Sequence, residues 1–541
     1  MALPTSPYVT ATYVCAALIT YVVIQAAYNL VLHPLSRYPG PLWAKVTDAY
    51  AGYHAARLSL PQITQRDLQQ YGPVIRHGPN RLVFSSTKAI QGILHYTNYT
   101  FAANPMLDIY NNPRVTKSTV YLVTLSTLGE VCTFNARNRE VHKSRRKILA
   151  LTTTERNIRQ FEPTLSEQTN IFLKHILDAS QSKAGLMVSE PLCRLGADII
   201  SLLAFGYPLN VQTDTTYRFV PESITVGNGI NNVKMQFPFL SNSIFSFITN
   251  LLTHAQLRKF YKLTDLIVST RLSSDMDGHA DLFSLAADKL KNDKNFKIKD
   301  LWAEALFLFS AGGETTATAI CGVLFYLSRY PHAYEKLATE IREVFSAGDE
   351  ICYGPKIASC RYLRACIDEA LRVSPPVSGT LWRQLSNEED HSQPFIVDGH
   401  VIPPKTHVGV NIYAMHHDED YFPDPYTYKP ERWLDADADT RRRMNEAFLP
   451  FSVGARGCSG KPFAYFEASL IVAKMLWYFD FEKTAGEAGE VGGGKAGAPY
   501  GRHREKEFQL YDIFSSTQEG PGLTFHTRGD FWQELVTGKK Q

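Results

Sequence analysis

The chain has 541 residues with 56 basic and 53 acidic side chains, a net charge of +3. Hydrophobic residues make up 44% and charged residues 20%, which excludes a disordered chain, and the near-neutral balance gives no electrostatic case for nucleic acid as partner. Eight cysteines, scattered from Cys15 to Cys458, exclude a disulfide framework.

No Lys, Arg, Asp or Glu precedes Arg37, and residues 8–32 form an uncharged run of 25. About 20 apolar residues suffice for a helix to cross a bilayer, so residues 8–32 read as a single-pass membrane anchor. Pro34, Pro39, Gly40 and Pro41 end that helix and make residues 33–48 a stiff Pro-rich hinge. Arg37 and Lys45 on its C-terminal side place the remaining domain, residues 49–541, in the cytoplasm. The sequon Asn98-Tyr-Thr100 would stay bare there.

Long apolar-periodic stretches between Leu58 and Leu385 predict a mainly α-helical body. His142 and Arg146 lie four apart, on one face of a helix in the basic stretch Arg137–Lys147. The stretch Phe237–Leu252 carries Phe239, Phe245, Phe247, Ile248 and Leu251, and reads either as a contact with the membrane interface or as a buried helical turn. A helix of about 30 residues, with Asp300 as N-cap and a stop at Pro331, has little charge after Glu304 except Glu314. It reads as a central helix buried on most sides. Within Ala311-Gly312-Gly313-Glu314-Thr315-Thr316 the adjacent glycines weaken the helix and the threonines compete for its carbonyls, so a local opening is expected. An acid in so apolar a helix is costly unless it is paired or functional. Further on, Glu369 and Arg372 share a helix face, a pairing that surface helices commonly carry. Frequent prolines after Ser374 mark short strands and loops, a small β region. Thr484–Gly501 reads as a flexible surface insertion, and the segment with Gly520-Pro521-Gly522 as a hairpin.

The sharpest motif is Phe451-Ser-Val-Gly454-Ala-Arg456-Gly457-Cys458-Ser-Gly460. Glycines on both sides of a cysteine let the backbone approach a bulky planar ligand and turn tightly about the sulfur. A nearby Arg and the start of a following helix favour the thiolate. With no second Cys or His at zinc spacing, the arrangement suits one sulfur binding one metal axially; an isolated Cys-x-Gly would read as a small buried cysteine.

This segment resembles the haem-binding loop of the cytochrome P450 family of haem-thiolate monooxygenases. Other motifs follow in the family's order. Glu369-Ala-Leu-Arg372 resembles its Glu-x-x-Arg helix, and Pro430-Glu-Arg432-Trp433 its Pro-Glu-Arg segment; together they imply a structural network of Glu369, Arg372 and Arg432. The segment around Gly313-Glu314-Thr315 resembles the oxygen-activation segment, with Glu where many relatives carry Asp. His142-Lys-Ser-Arg-Arg146 resembles the Trp-x-x-x-Arg helix, His142 standing for the usual Trp. The wording Tyr413–Trp433 is similar to that of fungal microsomal members active in secondary metabolism.

The resemblance implies one mainly α haem domain with a small β region, built on a long central helix behind an N-terminal transmembrane helix. It implies haem b with Cys458 as axial iron ligand, and His142, Arg146, Arg383 and Arg456 as partners of the propionates. Thr315 and Glu314 would be catalytic, delivering the protons that split O–O. Phe307, Ala311, Val377 and Leu381 would meet a lipophilic substrate, if they are not simply core. NADPH would act through a separate reductase, since no nucleotide-binding motif is recognisable, and Lys143, Arg145 and Lys147 would offer it part of a cationic face, if they are not simply a solvated one. The expected setting is the endoplasmic reticulum membrane. Oxidative coupling or ring closure on the same haem, an electron-independent isomerase or dehydratase, and a non-enzymatic haem sensor stand as alternatives to hydroxylation.

Overall fold

A computed structural model describes residues 7–537, apart from 91–108, 111, 113, 126–128, 153, 183–184, 243, 274–280, 282–296 and 389–391. Asn98 and its sequon lie outside the described residues, as does the side chain of Phe245.

Helix α1, Pro7–Ala27, runs without a break into a π-helical turn, Tyr28–Leu32. Its side chains, among them Tyr13, Ile19 and Ile24, are exposed, and the span Tyr8–Leu32 is long and apolar enough to cross a membrane. The last turn is not part of the exposed rod. Asn29 is buried; its Nδ2 donates to Val46 O at 3.0 Å, and the buried Arg76 donates to Asn29 O at 2.6 Å. Leu35 and Tyr38 of the hinge are buried in the same core as Leu82 and Phe84. The hinge is thus packed onto the domain. Deleting the chain through Ala27 is expected to leave the thermal midpoint unchanged. Deleting it through His33 removes an acceptor of Arg76 and should cost about 1–3 kcal/mol, read as a lower midpoint in detergent.

The small β region is a five-stranded sheet formed by β1 (Val74–Gly78), β2 (Arg81–Phe84), β3 (Val115–Lys117), β4 (Arg383–Leu385) and β5 (His407–Val410), in the order β1-β2-β5-β4-β3. Parallel pairing of β2 with β5 aligns Leu82 with Val408 and Phe84 with Val410, all buried. Antiparallel pairing of β3 with β4 sets Lys117 opposite Arg383. Two cations so placed need a counter-charge.

The helical body contains α2 (Arg139–Thr152), α3 (Ser189–Phe205), α4 (Phe219–Gln236), α5 (Ile244–Ser273), α6 (Ile298–Leu327), α7 (Arg361–Val373) and α8 (Lys461–Tyr478). Helix α6 is the predicted central helix. Leu324 and Phe325 of α6 pack with Ile367 of α7 and Leu470 and Trp477 of α8 in the largest core cluster. Each such buried side chain contributes about 1.5–3 kcal/mol. The N-terminus of α6 differs from expectation: Asp300 is inside the first turn, and its Oδ2 accepts from Lys297 N at 2.8 Å, so Lys297 is the N-cap.

The glycine pair in α6 has another use than the one expected. The helix continues unbroken through Gly312 and Gly313. A Cβ on Gly312 would stand 2.4 Å from Ile200 Cδ1, and one on Gly196 would stand 2.1 Å from Gly313 O. The glycines therefore let α3 and α6 cross at backbone contact, and no local opening forms.

Two C-terminal expectations are also corrected. Thr484–Gly501 is not a loose insertion: Gly494 N donates to Arg504 O, Lys495 N to Arg502 O and Arg329 to Gly489 O. The hairpin lies earlier than Gly520-Pro521-Gly522, between β6 (Tyr511–Ile513) and β7 (Ser515–Thr517), and turns at Phe514, φ 86°. Gly522 instead opens a strand, Gly522–Thr527, that pairs with Phe479–Lys483.

Candidate active site

The cysteine loop is wound tightly. Ser452 and Gly454 take left-handed backbone conformations, φ 55° and 71°, and Gly454–Arg456 forms a short 3-10 turn. Cys458 N then donates to Phe451 O at 2.8 Å, and Gly457 N to Gly454 O at 2.9 Å. These bonds hold the sulfur at the N-terminal end of α8, accessible from a cavity of about 410 Å³. Burial pushes the Cys458 thiol up, while the N–H groups of Gly460 and Lys461 and the charge of Arg146 pull it down. The arginine charge and the helix start act in the expected direction, and for the free thiol burial outweighs them. The arginine near the sulfur is Arg146 rather than Arg456. Among the described residues, no three His, Cys, Asp or Glu side chains converge as a metal site.

The same cavity is walled by α6, through Phe307, Ala311 and Thr315, and by Val377 and Leu381. Thr315 Oγ1 donates to Ala311 O at 2.8 Å, the bond to the preceding turn that its helical position predicts. Phe307 stacks on Phe134, ring centroids 5.6 Å apart. Glu314 does not line the cavity. Its carboxyl bonds to α4, Thr225 Oγ1 donating to Oε1 at 2.8 Å. Burial raises its pKa to about 7, against the hydrogen bonds of Thr225, Ser515 and Asn228.

Arg146, Arg383, Arg456 and His142 reach the cavity from α2, β4 and the cysteine loop, together with Lys117 of β3. Carbonyls hold the arginines in place: Arg146 donates to Gly457 O, Arg383 to Trp382 O, and Arg456 to Ala136 O and Arg137 O. Lys117 donates to Phe134 O and lies 4.0 Å from the centre of the Phe134 ring. Burial and the neighbouring Arg456, Lys117, Arg146 and Arg383 push His142 down to about 3, leaving a neutral imidazole. Burial, then Arg383, Arg139 and Arg146, lower Arg456 to about 9. Among the described residues none of these four cations has a carboxylate within ion-pair distance. Buried charge without a counter-ion is strongly unfavourable. The cavity therefore fits a bound group with two carboxylates and an apolar face, held beside a single thiol. Haem meets that description.

Lys117 was not apparent from the sequence. A lone Lys in a three-residue strand carries no motif, and only pairing with β4 brings it beside Arg383. Glu467 was missed as well: it is buried on α8 against the cavity, and burial raises its pKa to about 8 against a hydrogen bond with Thr316.

Arg145 is a correction. It is buried and donates to Asp300 at 2.6 Å and to Glu304 at 3.3 Å, so it braces α2 against the start of α6 and is absent from any docking face. Thr133 bonds the same Glu304 oxygen through its N–H and its hydroxyl. Lys143 and Lys147 are exposed. The inward side of α2 could have been read from His142, Arg145, Ile148 and Leu149 at helical spacing.

Glu369, Arg372 and Arg432 meet away from the cavity. Arg372 grips Glu369 through two bonds, 2.8 and 3.0 Å, and Arg432 adds one at 3.0 Å. Trp433 Nε1 and Lys429 N complete the carboxylate's partners at 2.9 and 3.1 Å. Arg372 also ties down the carbonyls of His416 and Pro425, which fixes the loop leading towards Cys458.

Residues 78–490 match the sequence profile described as Cytochrome P450. Among similar proteins, Cytochrome P450 monooxygenase AKT7 of Alternaria alternata is 32% identical over 96% of this chain and 98% of its own length. Cytochrome P450 monooxygenase poxM of Penicillium oxalicum is 32% identical over 92% and 91%. Cytochrome P450 monooxygenase apf7 of Gibberella fujikuroi is 28% identical over 94% and 96%.

Proposed function

The chain belongs to the cytochrome P450 family, and we propose that it is a membrane-anchored haem-thiolate monooxygenase oxidising a lipophilic fungal natural product with electrons from NADPH through a separate reductase. The balance is RH + O2 + NADPH + H⁺ giving ROH, H2O and NADP⁺. The observation that carries this reading is the placement of Cys458 and Thr315 on one cavity whose other cations lack anions. Bound haem supplies the reductive activation of O2 and the transfer of one oxygen atom to the substrate.

The chain's residues supply the rest. Cys458 holds the iron, with Arg146, Arg383, Arg456 and the neutral His142 on the propionates. Phe307, Ala311, Val377 and Leu381 exclude water and orient the substrate. The Thr315 hydroxyl, its own proton bonded to Ala311 O, offers lone pairs to the cavity and would hold a proton-bearing group there, and Glu314 supplies protons from the α4 side. Reconstitution with a reductase tests the whole: NADPH consumption that rises with substrate and yields a product carrying one more oxygen supports it. Turnover without NADPH would overturn it.

Glu314→Gln keeps the acceptor for Thr225 and removes the acid. Turnover should fall about 10²-fold or more, with product formed per NADPH falling and substrate affinity unchanged. The folded pKa of about 7 lies above the ordinary 4.5. Wild type therefore loses stability relative to this variant as pH rises from about 4.5 to 7, by about 3 kcal/mol, and the difference is constant above. Denaturation midpoints across that window read it.

Exposed Lys143 and Lys147 form part of the reductase's docking face. Reversing both charges should raise the half-saturating reductase concentration about tenfold and let added salt help where it hinders the wild type. Unchanged reductase kinetics would remove this face from the account.

The domain rests on the endoplasmic reticulum membrane through residues 8–32. Phe239, Phe247, Ile248 and Leu251 on one side, and Leu42 and Trp43 after the anchor, are exposed apolar side chains suited to the same surface.

A further inference from the structure

The wall of the cavity facing α4 is not apolar. Ser310 Oγ donates to Asn228 Oδ1 at 2.7 Å, and Asn228 Nδ2 donates to Ser515 Oγ at 3.3 Å. Asn228, Ser310 and Ser515 come from three segments, α4, α6 and β7, yet all line the cavity. The remaining bonding capacity of this cluster is unequal. The Ser310 proton is committed to Asn228, and one Asn228 amide hydrogen is directed to Ser515. Lone pairs on Asn228 Oδ1 and Ser310 Oγ remain to accept from a donor in the cavity.

Nothing charged fits there. The cations lining the cavity, Lys117, Arg146, Arg383 and Arg456, are the set assigned to the haem carboxylates. A substrate carboxylate would find no further cation among the described residues of this wall. An ammonium group would need an anion facing it, and the cluster offers only amide and hydroxyl oxygens. Ser310 stands five residues before Thr315, about 7.5 Å along the helix.

We propose that Asn228 and Ser310 select the substrate by accepting a hydrogen bond from a neutral donor, a hydroxyl or an amide N–H, about 7–10 Å from the oxidised carbon. The rest of the substrate is apolar and packs against Phe134, Phe307 and Phe514. This inference rests on the haem reading above, because the spacing is counted from the group bound at Cys458.

The test uses the haem-loaded full chain and imidazoles carrying a hexyl chain, whose binding shifts the Soret band. The chain ends in hydroxyl, methoxy, methyl, carboxylate or ammonium. The hydroxyl probe should bind about three- to tenfold more tightly than the methoxy and methyl probes, and the two charged probes most weakly. Asn228→Leu should bring hydroxyl and methyl within about twofold while leaving methyl affinity near that of wild type; Ser310→Ala, the milder change, should halve the preference or more. If methoxy binds as well as hydroxyl, the cluster does not select a donor. Tightest binding of the ammonium or carboxylate probe overturns the neutral assignment. Equal affinities for all five end the inference but leave the haem reading standing, whereas no band shift with any probe removes both.

Discussion

Cys458→Ala is expected to abolish the strongly red-shifted Soret band of the reduced, carbon monoxide-treated protein and to remove all monooxygenase turnover. The seven other cysteines cannot substitute. Cys132, Cys321, Cys360 and Cys366 are buried in packed core, Cys15 is on α1, and Cys352 is exposed away from the cavity. Cys193 is on α3 and does not line the cavity either. The loop's own bonds, Cys458 N to Phe451 O and Gly457 N to Gly454 O, are made by backbone and survive the substitution. The variant should therefore fold, and the cations around the cavity should still retain some haem through its carboxylates. That separates loss of the axial ligand from loss of the fold. A variant that kept the red-shifted band would overturn the assignment of the sulfur.

Glu369→Ala should have the largest effect on stability. Its side chain is fully buried, as is that of Arg372, and Arg432 is nearly so. Burial pushes the Glu369 pKa up, but the Arg372 and Arg432 charges and hydrogen bonds prevail and hold it below the ordinary carboxylate value. Removing the carboxylate leaves two guanidinium groups and an indole N–H facing a void. Breaking a buried pair in this way costs about 3–5 kcal/mol, a large part of a typical stability of about 5–15 kcal/mol. The expected result is little or no soluble holoprotein, with any that forms unfolding at much lower denaturant. Because the folded pKa is depressed, the pair's contribution is present above the ordinary carboxylate pKa and is lost as pH falls through the folded value. Glu314, with its pKa raised, has the opposite dependence. A variant as stable as wild type would show that Arg372 and Arg432 find other partners.

The two acids also show how far sequence spacing reaches. Glu369 and Arg372 are three residues apart in a helix, so their contact is local and readable; Arg432, separated from Glu369 by 63 residues, was placed by motif order, and Trp433 was not assigned at all. For Glu314 the sequence showed an acid in an apolar helix, but not whether it was paired. Its partner Thr225 is 89 residues away on α4. Arg145 was misplaced because a basic run looks solvated until Asp300 and Glu304 are brought beneath it. The glycine pair was misread for the same kind of reason. Intrinsic propensity describes an isolated helix, whereas Gly312 and Gly313 are fitted to Ile200 and Gly196 of another.

By itself the sequence determined what depends on neighbours along the chain. An uncharged run of 25 residues reads as a span, a cysteine between glycines before a helix reads as a ligand loop, and Thr315 sits one turn after Ala311. These are matters of helix rise, backbone freedom and side-chain type, all set by neighbours along the chain. Tertiary structure alone decided which charges are buried and what they face. Arg146 meets Gly457 across 311 residues of chain, Lys117 meets Arg383 on a paired strand, and Asn228 of α4 meets Ser310 of α6. Electrostatic and packing energies depend on distance in space and on the water excluded between groups, so these roles exist only once the chain is folded.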